Sequence, residues 1–307
     1  MISLEPDFLR GSYPPVITPF KENGDVDYDS YENLVDWQIR EGSHGIVVNG
    51  TSGEPAVLTT EERKTLLEIA MRVAKGRVPV VAATGSQSFA ESAVLTDHAT
   101  KQGADALLIV TPYYIRPPQR GLVAYYNELG RRSDTPLLMY HIPGRAAVTA
   151  ELATLEKIAE ATPHFVGIKH ASLDLALVTE ALDKFGPEFR IFVGLEELSF
   201  PMMAMGACGM VNAVSNIAPR KIADLYEAVA AGKMDEGRRL HFELFELNRS
   251  VFYDINPIPI KYMAKKLGVL PGNYHRLPMM PATREVEKKC DAVLKSAGLI
   301  ANDKAAA

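Results

Sequence analysis

The sequence predicts an α/β fold, a (β/α)8 TIM barrel carrying a C-terminal helical appendage. Three observations lead there. Eight short β-rich runs alternate with amphipathic stretches between residues 14 and 231. The runs are mostly continuously apolar, as expected of parallel strands covered on both faces. No GxGxxG follows the first run, so a doubly wound dinucleotide-binding sheet is not favoured.

In chain order the runs are PPVITPF (14–20), GIVVNG (45–50), VPVVAAT (78–84), ALLIVTP (106–112), PLLMYHI (136–142), FVGIKHA (165–171), RIFVGL (190–195) and CGMVNAV (208–214). The stretches between them have helical spacing. In TTEERKTLLEIAMRVAKG (59–76), Leu66, Ile69, Ala70 and Val73 share one face opposite the charges. Thr59 or Thr60 is the expected N-cap there and Gly76 the expected stop. From about Ala231 the strands cease, and helices are expected over 233–250, 257–267 and 282–297. The chain therefore divides into a catalytic barrel, 1–231, and a helical domain, 232–307. The last six residues, NDKAAA, are expected to fray.

Composition narrows the function. Of 307 residues, 47% are hydrophobic and 23% charged, the balance of a globular protein with a sizeable core. The net charge of −5 leaves no basic excess to neutralise phosphates, so nucleic acid is not an expected partner. No apolar run approaches the length of a membrane span, and no basic segment followed by an apolar one marks a signal peptide. Cys208 and Cys290 stand far apart and match no metal-ligand spacing; they are expected to be reduced thiols in a cytoplasmic protein.

In a barrel of this class the chemistry sits at the C-terminal ends of the strands. The polar residues there are Thr18, the turn Asn49-Gly50-Thr51-Ser52-Gly53-Glu54, Thr111, Tyr113 and Tyr114, Tyr140 and His141 with Arg145 beyond, Lys169 and His170, Gly194, and Asn212. Lys169 is the outlier, because no other lysine lies inside a strand run. A buried ammonium is costly unless paired or neutral. The ordinary explanation is a lysine that snorkels to the rim or meets a carboxylate, and Glu54 is the only partner in view. The chemical explanation is a desolvated amine that attacks carbonyls.

Tyr140 precedes His141, so their side chains leave strand 5 on opposite sides. Facing the lumen, Tyr140 would stand beside Lys169, where a phenol can relay protons. It is otherwise a packed tyrosine with a bonded hydroxyl. Thr51 and Ser52 lie in a glycine-bracketed turn whose hydroxyls and N–H groups suit a carboxylate, although such turns also serve geometry alone. Arg145 follows a Pro-Gly turn and is either a solvated loop residue or a bidentate grip on a substrate carboxylate. The strand ends carry no His-x-His pair or acidic set for a divalent metal, and no glycine-rich phosphate loop follows strands 7 and 8. The residues point to covalent lysine chemistry on a small carboxylate, with neither metal nor cofactor.

These segments also resemble a known family. Gly50-Thr51-Ser52-Gly53-Glu54 resembles the GTTGE motif of the dihydrodipicolinate synthase / N-acetylneuraminate lyase family. Thr111-Pro112-Tyr113-Tyr114, Tyr140-His141-Ile142-Pro143-Gly144-Arg145, Val166-Gly167-Ile168-Lys169 and Asn256-Pro257-Ile258-Pro259-Ile260-Lys261 follow in the family's order. The resemblance runs from about Gly11 to Leu299. It implies a class I lyase, usually a homotetramer, that condenses pyruvate with an aldehyde. Lys169 would form the Schiff base, and Tyr140 would relay protons together with Thr51 and with Tyr114 from a neighbouring subunit. Ser52 and Thr51 would hold the pyruvate carboxylate, while Gly194 and Val211 would contribute backbone beside it.

Within the family the resemblance leans to the synthase acting on aspartate semialdehyde, whose carboxylate Arg145 would receive. The alternative is an aldolase or dehydratase acting on a 2-oxo-3-deoxy or 4-hydroxy-2-oxo acid. The chain departs from the synthase pattern at Ser52 (usually Thr), at Ala146-Ala147 (usually Thr-Gly), at His141 (usually Asn) and at His170 (usually acidic). Strand alternation puts both histidines behind Tyr140 and Lys169, where they are predicted to touch. Glu91 and Tyr113 match the family's inhibitor site, but Pro55, Thr60 and Arg63 stand where lysine-sensitive members often carry Ser and His. Weak or no inhibition by lysine is expected.

Overall fold

Residues 1–301 are described by a computed structural model; the tail expected to fray, from Asn302, lies outside them. The strands are β1 (Gly11–Ser12), β2 (Ile46–Val48), β3 (Val80–Ala83), β4 (Ala106–Val110), β5 (Leu137–His141), β6 (Phe165–His170), β7 (Arg190–Val193) and β8 (Gly209–Met210). All pair in parallel, in the order β1-β8-β7-β6-β5-β4-β3-β2. The ring closes at a parallel bridge between Pro15 and Val47, where the Val47 N–H donates to the Pro14 carbonyl (2.9 Å) and the Val16 N–H to the Val47 carbonyl (3.0 Å).

The first run is therefore placed differently from the expectation over 14–20. The ladder with β8 forms earlier, at Gly11–Ser12, and the run itself holds only two isolated bridges, a parallel one from Pro15 to Val47 and an antiparallel one from Phe20 to Val26. Pro14, Pro15 and Pro19 lack the N–H that a continuous ladder requires. The other seven runs each contain their strand.

Strand alternation divides the core. Tyr13, Val47, Val81, Leu108, Leu138, Tyr140 and Phe192 belong to a cluster distinct from the larger one, in which alternate residues such as Leu107, Ile109, Leu137, Met139 and Ile168 pack with helical side chains. The β5–β6 register shifts between Leu137 and Leu138: Leu137 faces Phe165, but Leu138 faces Gly167. This bulge passes over Val166 and brings Tyr140 level with Lys169, and His141 level with His170.

The helix expected over 59–76 spans Thr60–Ala74. Thr59 caps it in a capping box with Glu62, and the left-handed Lys75 and Gly76 end it. After the helix Pro219–Ala230, four helices follow: Met234–Glu243, Phe245–Ser250, Ile258–Lys266 and Arg284–Ser296. The single helix expected over 233–250 is interrupted at Leu244, whose ψ of −6° departs from α geometry. None of the helices among the described residues is long and apolar enough to cross a membrane.

Candidate active site

At the C-terminal ends of the strands lies a cleft of about 560 Å³, lined on one side by Thr51, Tyr140, Ile142, Arg145 and Asn256. The same five residues also wall a deeper chamber of about 60 Å³. Lys169, Gly194, Val211, Ser52 and Glu196 also line the chamber, beside the apolar Pro15, Leu195, Ala213 and Phe252. Lys169 is 3% exposed, and its Nζ lies 4.0 Å from the centre of the Tyr140 ring. Among the described residues no hydrogen bond or ion pair engages that amine. Gly194 borders it so closely that an added Cβ would stand 3.1 Å from the Lys169 Cε and 2.8 Å from the Ala171 Cβ. A side chain at position 194 would close the space beside the amine.

Glu54, the one carboxylate that the ordinary explanation of Lys169 had in view, is engaged elsewhere. Its carboxylate accepts a hydrogen bond from Lys261 Nζ (2.6 Å) and lies 3.2 Å from His275 Nδ1. Lys261 is fully buried; it also donates to the Tyr274 carbonyl (2.8 Å) and stands 4.2 Å over the Phe20 ring. Burial pushes its ammonium down to about 8 despite the carboxylate. A helix reaching back from the end of the chain thus spends Glu54.

The Thr51–Gly53 turn is a single 3-10 turn that ends in Glu54, a non-glycine residue with φ 55° and ψ 43°. A backbone held in this region costs on the order of 1–3 kcal/mol. Within the turn, the Thr51 hydroxyl donates to the Tyr140 Oη at 3.3 Å. The Ser52 Oγ accepts from Asn256 Nδ2 at 3.1 Å. The Thr18 hydroxyl donates to the Gly53 carbonyl at 2.7 Å. Arg145 lies exposed at the mouth, in the short helix Pro143–Ala146, with its Nη2 donating to the Asn256 carbonyl at 3.4 Å.

Six of the eight residues singled out from sequence meet here: Lys169, Tyr140, Thr51, Ser52, Gly194 and Val211, with Arg145 at the rim. Tyr114 does not join them within one chain. It is 86% exposed, with φ 70°, and lines neither the cleft nor the chamber.

Sequence reasoning missed Glu196 and Asn256. Glu196 Oε1 accepts from the Ala213 N–H at 2.6 Å, and burial raises its pKa against the opposing pull of that N–H and of Lys169. Its signal was a carboxylate three residues beyond the end of β7. Asn256 stands far down the chain from every strand, and periodicity does not point to it.

Behind the lumen, His141 Nδ1 and His170 Nδ1 lie 3.2 Å apart, as the alternation predicted. His141 Nε2 accepts from the Ala150 N–H (3.2 Å), so neutral His141 carries its proton on Nδ1 and donates it to His170. Burial lowers the pKa of both, that of His141 to about 4. On the far wall of the cleft, buried Arg63 donates to Glu91 (3.2 Å) and to the Ala83 carbonyl (3.1 Å), and Ser86 donates to the other Glu91 oxygen (2.6 Å).

Residues 8–297 match the dihydrodipicolinate synthetase family. The 4-hydroxy-tetrahydrodipicolinate synthase of Thermus thermophilus is 40% identical, covering 97% of this chain and 100% of its own length. The enzyme of the same name from Thermodesulfovibrio yellowstonii is 38% identical, covering 95% and 99%. Among solved structures, the dihydrodipicolinate synthase of Aquifex aeolicus superposes with a TM-score of 0.92 at 36% identity, covering 95% of this chain and 100% of that one.

Proposed function

Because the chain belongs to the dihydrodipicolinate synthetase family, whose members are class I lyases, we propose that it condenses pyruvate with aspartate semialdehyde as a 4-hydroxy-tetrahydrodipicolinate synthase. The observation that carries this reading is an unpaired, buried Lys169 amine beside the Tyr140 ring, with the Thr51 hydroxyl on the phenol oxygen.

In this reading neutral Lys169 attacks the pyruvate ketone carbon through its Nζ lone pair. Tyr140 relays protons as the ketone oxygen leaves as water and the protonated imine forms. Loss of a methyl proton gives the enamine, whose carbon bonds to the aldehyde carbon as the aldehyde π electrons move to oxygen and a relayed proton makes it a hydroxyl. The second substrate's amino group then attacks the imine carbon, closes the ring and expels Lys169 as the free amine. Thr51 orients the phenol, and Ser52 with Thr51 receives the pyruvate carboxylate. Gly194 and Val211 border the bound pyruvate, and Arg145 at the rim takes the second substrate's carboxylate. No cofactor enters these steps.

Tyr114 completes the relay from a neighbouring subunit of a homotetramer. Support for this is an aromatic side chain almost wholly in solvent on a left-handed backbone. Residues 1–231 form the catalytic barrel and 232–307 the helical domain, in a cytoplasmic protein whose two buried cysteines suit a reducing compartment.

The test is a coupled assay of the purified protein with pyruvate, aspartate semialdehyde and dihydrodipicolinate reductase. Turnover that disappears in Lys169→Ala supports the synthase. Absence of turnover, with pyruvate still captured on Lys169, transfers the protein to the second reading, an aldolase or dehydratase for a 2-oxo-3-deoxy or 4-hydroxy-2-oxo acid. One observation favours that alternative: Glu196 brings into the chamber a carboxyl whose pKa burial raises, a group suited to bonding a substrate hydroxyl.

A further inference from the structure

Two segments distant in sequence are fastened together behind the cleft. One runs from the turn 51–54, which bears the hydroxyls nearest Tyr140 and Asn256, to Glu62 in the following helix. The other runs from Asn256 through the helix Ile258–Lys266 to Arg276. They meet at three points. Asn256 donates to the Ser52 hydroxyl, Lys261 to the Glu54 carboxylate, and Arg276 to both oxygens of Glu62 at 2.8 and 2.6 Å. Arg276 also donates to the Val57 carbonyl at 3.0 Å.

Of these anchors, only Glu54 lies inside the turn and holds a disfavoured backbone. Its φ of 55° is left-handed, and Pro55 follows it, which further restricts the residue before it. The turn has two backbone hydrogen bonds of its own, from the Gly53 N–H to the Gly50 carbonyl (2.8 Å) and from the Glu54 N–H to the Thr51 carbonyl (3.1 Å), and these hold it against the left-handed backbone of Glu54. Both carboxylate oxygens of Glu54 are engaged from the other segment, by Lys261 and by His275. The pair is nearly dry, with the side chains 0% and 3% exposed. A charge pair so buried, when one partner is removed, leaves the other uncompensated; apolar residues of similar volume replace both with little loss of fold.

We propose that Glu54, clamped by Lys261 and His275, is a positioning residue that sets the Thr51 and Ser52 hydroxyls for the substrate carboxylate. Glu54 acts through the backbone of the turn. The helical appendage thereby becomes part of the binding apparatus. This rests on the reading of Ser52 and Thr51 as the carboxylate cradle.

The experiment compares the full-length parent with E54Q, the apolar pair E54L/K261M, and S52A. For each, thermal midpoint, pyruvate KM and kcat are measured. The expected result is a pyruvate KM raised on the order of tenfold in E54Q, with kcat falling by a smaller factor because Thr51 also orients the Tyr140 phenol. In E54L/K261M the midpoint returns to the parent value while KM stays raised. A parent-like KM in E54L/K261M makes the pair merely structural and overturns the proposal; should that variant fail to fold, a parent-like KM in E54Q does the same. S52A separates the two ideas. A raised KM there with E54Q unaffected sinks the positioning role alone. An unchanged KM in S52A removes the cradle, and the positioning role falls with it.

Discussion

Tyr140 and Lys169 stand level on adjacent strands, and the lysine Nζ sits 4.0 Å from the centre of the phenol ring. The register shift over Val166 produces that alignment. The ring shields one side of the amine, and the chamber beside Gly194 leaves the other side open to a carbonyl carbon.

If Tyr140 moves protons rather than packing alone, Tyr140→Phe keeps the fold and lowers kcat by a factor on the order of 10² to 10⁴. Steady-state kinetics check this. A kcat within a few-fold of the parent would leave Tyr140 as a packing residue. Thr51→Val, which keeps volume but removes the hydroxyl from the phenol, shifts the rate in the same direction.

Tyr114 is predicted to act across a subunit boundary. Tyr114→Phe and Lys169→Ala are each expected to be nearly inactive. Mixed and allowed to exchange subunits, they regain part of the activity, because a chain with Lys169 then receives a native Tyr114 from its neighbour. Light scattering verifies the tetramer, and failure of exchanged mixtures to regain activity would refute the shared site.

The histidine pair makes acid stability predictable. His141 is held neutral in the folded protein, with its pKa lowered from 6.5 to about 4 by burial and by His170. An unfolded chain takes up the proton near pH 6.5. The stabilisation is therefore complete above 6.5 and is lost as pH falls from 6.5 toward 4. The loss is about 3 kcal/mol for this residue. Denaturant unfolding at pH 7 and pH 4.5 measures it, and His141→Asn is expected to flatten the dependence. An equally steep loss in that variant would assign the effect to other groups.

Lysine is expected to inhibit weakly or not at all. Glu91, the carboxylate at the position matching the family's inhibitor site, is already bonded by Arg63 and Ser86. An incoming ammonium would have to displace a buried guanidinium. Strong inhibition at millimolar lysine in the coupled assay would contradict this.

The barrel and the inner site were legible in the sequence because their signals are local. Continuous apolar runs mark parallel strands, alternation assigns Tyr140 and His141 to opposite faces, and a lysine inside a strand stands out by its desolvation cost. The starting point of β1 was not legible, since the prolines of 14–19 give an apolar run that cannot form a full ladder. The Glu54–Lys261 pair was hidden for a different reason. Its partners lie on a loop and on a helix near the far end of the chain, and no periodicity joins them. From sequence Glu54 was the one carboxylate in view for Lys169 at the strand ends; three-dimensional packing brings Lys261 to it instead and leaves Lys169 without an ion pair.

The most direct test of the central claim is borohydride reduction of the protein with pyruvate, followed by mass mapping of the labelled peptide. The account predicts one covalent pyruvate adduct per chain, on Lys169, absent from Lys169→Ala. Label on another lysine, or none at saturating pyruvate in a folded protein, would contradict it.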